Sequence, residues 1–192
     1  MDEQKKIRVR APSAGEVSRA VGGREDFVRD EPERDPRRAL GPARAVSPLA
    51  RVIHALREEG IRFQIAGMSA AILQGVPATT LDTDIWVELP VRRFVRLTEI
   101  IVRLGGTMLT QTVGALPDDT LVNFLPRVDG LGEFGAEYRN TKRLRWQGMN
   151  VPVLPLESIL KSKQKVGRPK DLAHIPLIRQ VLRLQKVKKT SR

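Results

Sequence analysis

The stretch that decides the fold is IAGMSAAILQGVPATTLDTDIWVEL, residues 65–89. It begins at the end of a short predicted strand, turns at Gly67 and continues into a helix that Gly75 ends. The next segment is extended and closes on the β-forming residues IWV. A strand that passes through glycine into a helix leaves the first backbone N–H groups of that helix unpaired at its positive end. We therefore expect Gly67, Met68 and Ser69 to form a phosphate-binding turn.

Asp82 and Asp84 follow this turn, 15 and 17 residues after Gly67. At a spacing of two on a strand, both carboxylates point to the same face. Carboxylates held so close repel each other, and a divalent cation relieves the repulsion. Magnesium takes oxygen ligands, usually one or two carboxylates together with waters and substrate phosphates. The pattern favours a magnesium site beside the phosphate-binding turn; two solvated acids at the start of a strand are the alternative.

The segments on either side of this stretch alternate between helix and strand. Ser47 and Pro48 predict the start of a helix that Gly60 ends, and a short strand leads from there to Gly67. Downstream we predict a helix that opens at Pro90 and closes at Gly105 and Gly106, three strand-like segments and two final helices: residues 107–112, 120–125, 144–154, 156–166 and 169–185. This order predicts an α/β (α+β) fold, a mixed sheet flanked by helices, with further helices at the C-terminal end.

The composition excludes several classes of protein. Among 192 residues, 41% are hydrophobic and 4% aromatic, so the core is expected to be large and aliphatic. Cysteine is absent, which excludes disulfide scaffolds, thiolate zinc sites and cysteine nucleophiles. No apolar run approaches the roughly 20 residues that span a bilayer, and the first residues lack the apolar core of a signal peptide. We therefore expect a soluble cytoplasmic protein with no membrane partner.

The net charge of +12 is unevenly distributed. Residues 157–192 carry 11 basic and 2 acidic side chains, so this segment holds most of the excess positive charge. Such asymmetry favours a polyanionic partner, either nucleic acid, a nucleoside triphosphate or an acidic protein, with a solvated basic tail as the alternative. The charged, proline-containing residues 1–46 predict a disordered arm, so the expected domain covers residues 47–185 and a basic tail covers residues 186–192.

Two motifs resemble the nucleotidyltransferase superfamily, whose core fold is that of DNA polymerase β. The first is residues 65–89, because a glycine turn precedes an Asp-x-Asp strand. The second is LPLESILKSKQKVGRPKDLAHIPLIRQVL, residues 154–182, which is similar to the C-terminal motif of the AbiE-type toxin branch. That motif places a lysine on one helix and Arg-x-Lys-Asp at the start of the next, here Lys163, Arg168, Lys170 and Asp171.

The resemblance implies an activity and a set of site residues. It implies transfer of a nucleoside monophosphate from a nucleoside triphosphate to an acceptor such as tRNA, with Mg²⁺ as cofactor, in a toxin that has a cognate antitoxin. Asp82, Asp84 and Lys163 would be catalytic, and Asp82, Asp84 and Asn123 would bind the metal. The nucleotide would lie against Gly67, Met68, Ser69, Arg168 and Lys170.

Three positions depart from the family pattern. Met68 replaces a small residue of the turn, Ala78 replaces an arginine, and Asn123 stands where a third carboxylate is usual. The last departure matters most, since an amide offers magnesium no charge. The alternative hypothesis is therefore a catalytically degenerate module of this fold that binds nucleic acid or a protein partner. For Lys163, Arg168 and Lys170 the alternative is a solvated basic helix face.

Overall fold

The computed structural model describes residues 46–190 of the chain. The predicted disordered arm, apart from its last residue, lies outside the described residues, and so do the last two residues of the predicted basic tail. Among the described residues, no helix is both long enough and apolar enough to cross a membrane.

A mixed sheet of seven strands forms the centre of the fold. In chain order the strands are β1 (Phe63–Ile65), β2 (Asp82–Val87), β3 (Thr107–Met108), β4 (Val113–Ala115), β5 (Leu121–Leu125), β6 (Lys142–Trp146) and β7 (Met149–Val153). Their order across the sheet is β3-β4-β5-β2-β1-β7-β6. Two pairs are parallel, β2 with β5 and β1 with β7, and the other four are antiparallel. The predicted mixed α/β architecture is confirmed.

Six α-helices surround the sheet: α1 (Pro48–Glu58), α2 (Gly67–Leu73), α3 (Val95–Arg103), α4 (Phe134–Tyr138), α5 (Leu156–Val166) and α6 (Pro169–Thr190). As the sequence predicts, Ser47 caps α1, because its hydroxyl accepts a hydrogen bond from the backbone N–H of Ala50. The last helix is longer than predicted. It continues through Pro176 and past Gln185 to Thr190, so the first residues of the predicted basic tail are helical.

The helices α1 and α3 pack against each other, and α3 covers one face of the sheet. Ile101 of α3 lies so close to Gly114 that a β-carbon on this glycine would approach its side chain to 3.2 Å. The residues of β2 that point to this side, such as Ile85, are fully buried. The opposite face of β2 carries Asp82 and Asp84 where the strand begins and the buried Trp86 further along.

Two short elements differ from the sequence prediction. Strand β4 lies in a segment predicted as a connection, and α4 was not predicted at all. A strand of three residues and a helix of five carry too little periodicity to predict. Both are fixed by tertiary contacts: β4 bridges β3 and β5, and Phe134 of α4 packs edge-on against Trp86 with 5.4 Å between the ring centroids.

Candidate active site

The two carboxylates of the Asp-x-Asp motif lie on one face of β2, at the end where this strand begins. On the neighbouring strand β5, Asn123 is directly opposite Asp84. Its side-chain amide donates a hydrogen bond of 3.0 Å to Oδ1 of Asp84. The register of the sheet therefore places Asp82, Asp84 and Asn123 on one face of two adjacent strands.

The glycine turn lies against this pair. Gly67 has φ +57°, and a β-carbon placed on it would lie 2.0 Å from Oδ2 of Asp84. Two separate constraints therefore demand glycine here, a left-handed backbone and the absence of a side chain. The close approach also brings the backbone at the start of α2 directly next to the carboxylate.

The other residues of the turn have structural partners. The hydroxyl of Ser69 donates a hydrogen bond of 2.8 Å to the backbone carbonyl of Asp82, which ties α2 to the start of β2. Met68 is buried, with 6% of its surface exposed. The first hydrogen bond that closes a turn of α2 is donated by Ala70, so the N–H groups of residues 67–69 have no acceptor within the helix. What this turn can offer a phosphate is backbone rather than the serine hydroxyl.

Burial raises the pKa of Asp84 above its ordinary value, and the negative charge of Asp82 raises it further. The hydrogen bond from Asn123 and the positive charges of Lys163 and Lys170 act in the opposite direction and only partly compensate. The protein thus holds a carboxylate in a place where its charge is disfavoured. A cation between Asp82 and Asp84 would remove that penalty.

The turn between α5 and α6 brings the basic residues of the second motif close to one another. Gly167 ends α5 in a left-handed conformation with φ +65°. Lys163 donates a hydrogen bond of 2.8 Å to one oxygen of Asp171, and Arg168 donates one of 2.7 Å to the other. Lys170, which follows in the first turn of α6, is exposed, and its charge reaches Asp84.

Asp171, the last residue of the Arg-x-Lys-Asp motif, was not among the predicted site residues. In the structure Asp171 is 1% exposed and accepts from two cations. Burial alone would raise the pKa of Asp171, but the hydrogen bonds from Arg168 and Lys163, with their charges, lower it overall. The spacing of Lys163 and Asp171 across a glycine turn was the available signal.

Thr80 is a second residue that the sequence reading passed over. Its hydroxyl donates a hydrogen bond of 2.9 Å to Oδ1 of Asp82. The other oxygen of Asp82 accepts no hydrogen bond from the described residues. Thr80 therefore orients the Asp82 carboxylate and leaves one of its oxygens for a ligand.

The donor set fits one magnesium ion. One or two carboxylates are the usual protein contribution to a magnesium site that also uses phosphate oxygens and waters. The raised pKa of Asp84 shows that its charge lacks a fully compensating cation. No group of three or more acidic, histidine or cysteine side chains suited to a metal occurs in residues 46–190. Asn123 completes the set only if its amide turns to present oxygen, because its nitrogen now faces Asp84.

No protein-family model matches the chain, and no curated protein matches its sequence. Solved structures do match in shape. The solution structure of the antibiotic-resistance factor ANT(2'')-Ia superposes with a TM-score of 0.53 over 76% of this chain and 86% of that one, at 19% identity. A crystal structure of ANT(2'')-Ia with adenylyl-2''-tobramycin gives 0.53, covering 74% and 92%, at 18% identity. The chain has a nucleotidyltransferase fold.

A third neighbour with this fold is the lincosamide antibiotic adenylyltransferase LnuA bound to lincomycin. Its TM-score is 0.50, it is 10% identical, and the match covers 70% of this chain and 96% of that one. At these identities the likeness concerns the fold alone. The resemblance to the AbiE-type toxin branch stays a prediction.

Proposed function

We propose that this protein is a magnesium-dependent nucleotidyltransferase, which transfers a nucleoside monophosphate from a nucleoside triphosphate to a hydroxyl of an RNA acceptor such as tRNA. The observation that carries the proposal is the packing of Gly67 against Asp84, with Asp82 on the same face of β2. A helix start, a glycine and two carboxylates meet at one point of a nucleotidyltransferase fold. Each of these groups has a role in holding a metal-bound triphosphate.

Asp82 and Asp84 would hold the magnesium ion, with Asn123 as a weaker third ligand. When bound, the ion supplies positive charge to the triphosphate during in-line displacement at the α-phosphorus. The protein contributes the alignment of its own groups. Thr80 and Ser69 fix Asp82, Asn123 fixes Asp84, and the absence of a side chain at Gly67 leaves room for the Asp84 carboxylate.

The cations of the α5–α6 turn would face the triphosphate from the other side. Lys170 is exposed and has no ion pair within residues 46–190, so its ammonium group is available to bind phosphate directly. Lys163 is 12% exposed at its side chain and is engaged by Asp171. Its role is therefore to add positive potential at the nucleotide and to hold the turn, rather than to move with the substrate.

The narrower assignment, a toxin with a cognate antitoxin protein, rests on the resemblance of residues 154–182 to the AbiE-type motif. It is tested by co-expressing the chain with the product of the neighbouring gene. Rescue of cell growth and co-purification of the two proteins are the expected results. If cells grow normally without the second protein and the transferase is fully active, the protein is an enzyme but not a toxin.

The activity is tested with α-labelled nucleoside triphosphates, magnesium and total tRNA. The wild-type protein is expected to transfer label to RNA, and Asp82→Asn and Asp84→Asn are each expected to lower the rate by a factor of about 100 or more, the scale for removing a group that stabilises transition-state charge. Glu99→Gln, which alters an exposed acid on α3, is the matched control. Transfer that survives in both aspartate variants would refute the proposal.

The second candidate is a non-catalytic module of the same fold, and Asn123 is the observation that favours it. Calorimetry of Mg²⁺ binding to Asn123→Asp separates the two. In the enzyme, a third carboxylate should tighten magnesium binding, whereas Asn140→Asp, at an exposed position outside the site, should leave it unchanged. A module that has lost the site would bind no magnesium before or after the substitution, and its melting temperature would not rise with nucleoside triphosphate.

A further inference from the structure

The outer edge of the sheet carries a set of unneutralised cations, which we call the basic ridge: Arg139, Lys142, Arg143 and Arg145. They occupy the end of α4 and the edge strand β6, in a stretch that contains no acidic residue between Glu137 and Glu157. The three arginines are exposed. None of the four has an ion pair within residues 46–190, whereas Arg62, Arg96, Arg103, Lys163 and Arg168 all do.

The register of the sheet places Arg143 and Arg145 on the same face as Asp82 and Asp84, whereas Lys142 lies on the other face. Trp86, which shares a face with Asp84, is opposite Gln64 of β1. Gln64 is level with Pro152 of β7, since the next residues of the two strands, Ile65 and Val153, are paired. Pro152 in turn is opposite Arg143. Three strand spacings separate β2 from β6, a distance of about 14 Å.

Tyr138 holds the inner part of the ridge in place. The guanidinium of Arg143 lies 5.7 Å from the centre of the Tyr138 ring and donates a hydrogen bond of 3.2 Å to its hydroxyl. Arg62 lies over the same ring at 5.8 Å, and the ring stacks on Phe134 at 5.1 Å. Arg143 is therefore oriented before any ligand binds, which lowers the entropy lost on binding. Arg145 follows two residues later on the same face of the strand.

The chemistry of the ridge fits phosphates rather than a protein surface. The large hydrophobic side chains that are exposed in the described part of the chain all lie elsewhere. An interface that is polar and strongly positive is typical of nucleic-acid binding, while protein interfaces contain an apolar centre. Arginine is also the cation whose planar fork matches phosphate oxygens.

We propose that the basic ridge binds a single-stranded segment of the nucleic-acid acceptor, whose end reaches Asp82 and Asp84. A strand of a few nucleotides spans the distance between Arg143 and Asp84. This inference rests on the proposed function for its direction, because the acceptor hydroxyl must reach the metal pair. It adds the location of the acceptor and the residues that hold it.

The test is fluorescence anisotropy with a labelled 12-nucleotide single-stranded RNA, at several salt concentrations, without nucleotide or magnesium. The double substitution Arg143→Ala and Arg145→Ala is expected to weaken binding about tenfold at low salt. It should also flatten the plot of log affinity against log salt by about 1.4, since each lost phosphate contact to a single strand contributes about 0.7.

The matched control removes the same charge from another part of the surface, through Arg92→Ala and Arg93→Ala. Both residues are exposed, and no ion pair engages them within residues 46–190. The control is expected to change affinity by less than about twofold. Equal losses in the two double variants would show that RNA follows only net charge, and the inference would be overturned.

Two further outcomes complete the design. The single variant Arg145→Ala guards against misfolding of the double variant, because the Arg145 side chain has no hydrogen-bond partner among the described residues. It should give half of the change in the salt slope. Poly-L-glutamate that competes as well as RNA of equal charge would indicate an acidic protein partner and overturn the inference. If the protein binds no RNA but still transfers label to another acceptor, the inference about the basic ridge is overturned. The proposed nucleotidyltransferase activity then stands.

Discussion

At the level of single residues, Gly67 packs directly against the Asp84 carboxylate. We predict that Gly67→Ala destabilises the protein by about 2–4 kcal/mol, because alanine must both adopt φ +57° and displace Oδ2 of Asp84. Gly60→Ala is the matched control, since Gly60 has φ +65° but an added β-carbon meets no atom within 4 Å. It should cost only about 1–2 kcal/mol. Urea unfolding measures both; equal costs would mean that Asp84 moves aside freely.

Asp84 itself should make stability depend on pH. Its pKa in the folded protein is raised, by burial first and by Asp82 second, so folding disfavours its charged form. The penalty is absent below the unfolded pKa of about 3.8 and grows as pH rises through the folded pKa. We predict that Asp84→Asn, without metal, is more stable than wild type at pH 7 and loses this advantage near pH 3.5.

Thermal melts of both proteins across this pH range measure the difference, with Glu99→Gln as the control for a lost exposed acid. A constant difference at all pH values would contradict the predicted penalty. Added magnesium should reverse the order at pH 7, because only the wild type can bind it with both carboxylates.

At the level of elements, the sequence predicted what local signals define. The cap at Ser47, the glycine turn before α2 and the β2 strand all follow from propensity and spacing. What it could not predict depends on partners distant in the chain. The α4 helix needs Trp86 behind it, and the true environment of Asp171 appears only when α5 and α6 pack together.

The α5–α6 junction is expected to depend on Asp171. Asp171→Asn keeps the size of the side chain but removes the charge that pairs with Lys163, whose side chain is 12% exposed. We predict a loss of about 3 kcal/mol in the free energy of unfolding, the lower end for breaking a buried pair. Since the folded pKa of Asp171 is lowered, this contribution is present above the unfolded pKa and disappears as pH falls through the folded pKa.

Denaturant unfolding at pH 7 and at low pH measures this contribution, and Glu157→Gln in the first turn of α5 is the control. A double variant with Lys163→Met should recover part of the loss, because the buried cation is then removed as well, while Arg168, whose side chain is 59% exposed, stays solvated. If Asp171→Asn is as stable as wild type at pH 7, the buried pair contributes nothing and the turn is held by apolar contacts alone.

At the level of the whole molecule, Lys170 and Lys188 test whether the positive charge acts at the proposed nucleotide site or as a general attraction for polyanions. Lys170 lies in the first turn of α6, and Lys188 lies near the end of the same helix. We predict that Lys170→Ala weakens binding of a magnesium–nucleoside triphosphate complex by about tenfold, the scale of one charge-assisted hydrogen bond. Lys188→Ala should leave nucleotide affinity nearly unchanged. Calorimetry of both variants at two salt concentrations measures the affinity for the magnesium–nucleoside triphosphate complex. Equal, small and salt-dependent losses in both would mean that Lys170 belongs to a diffuse basic surface, and the non-catalytic module would then describe this protein better than the enzyme.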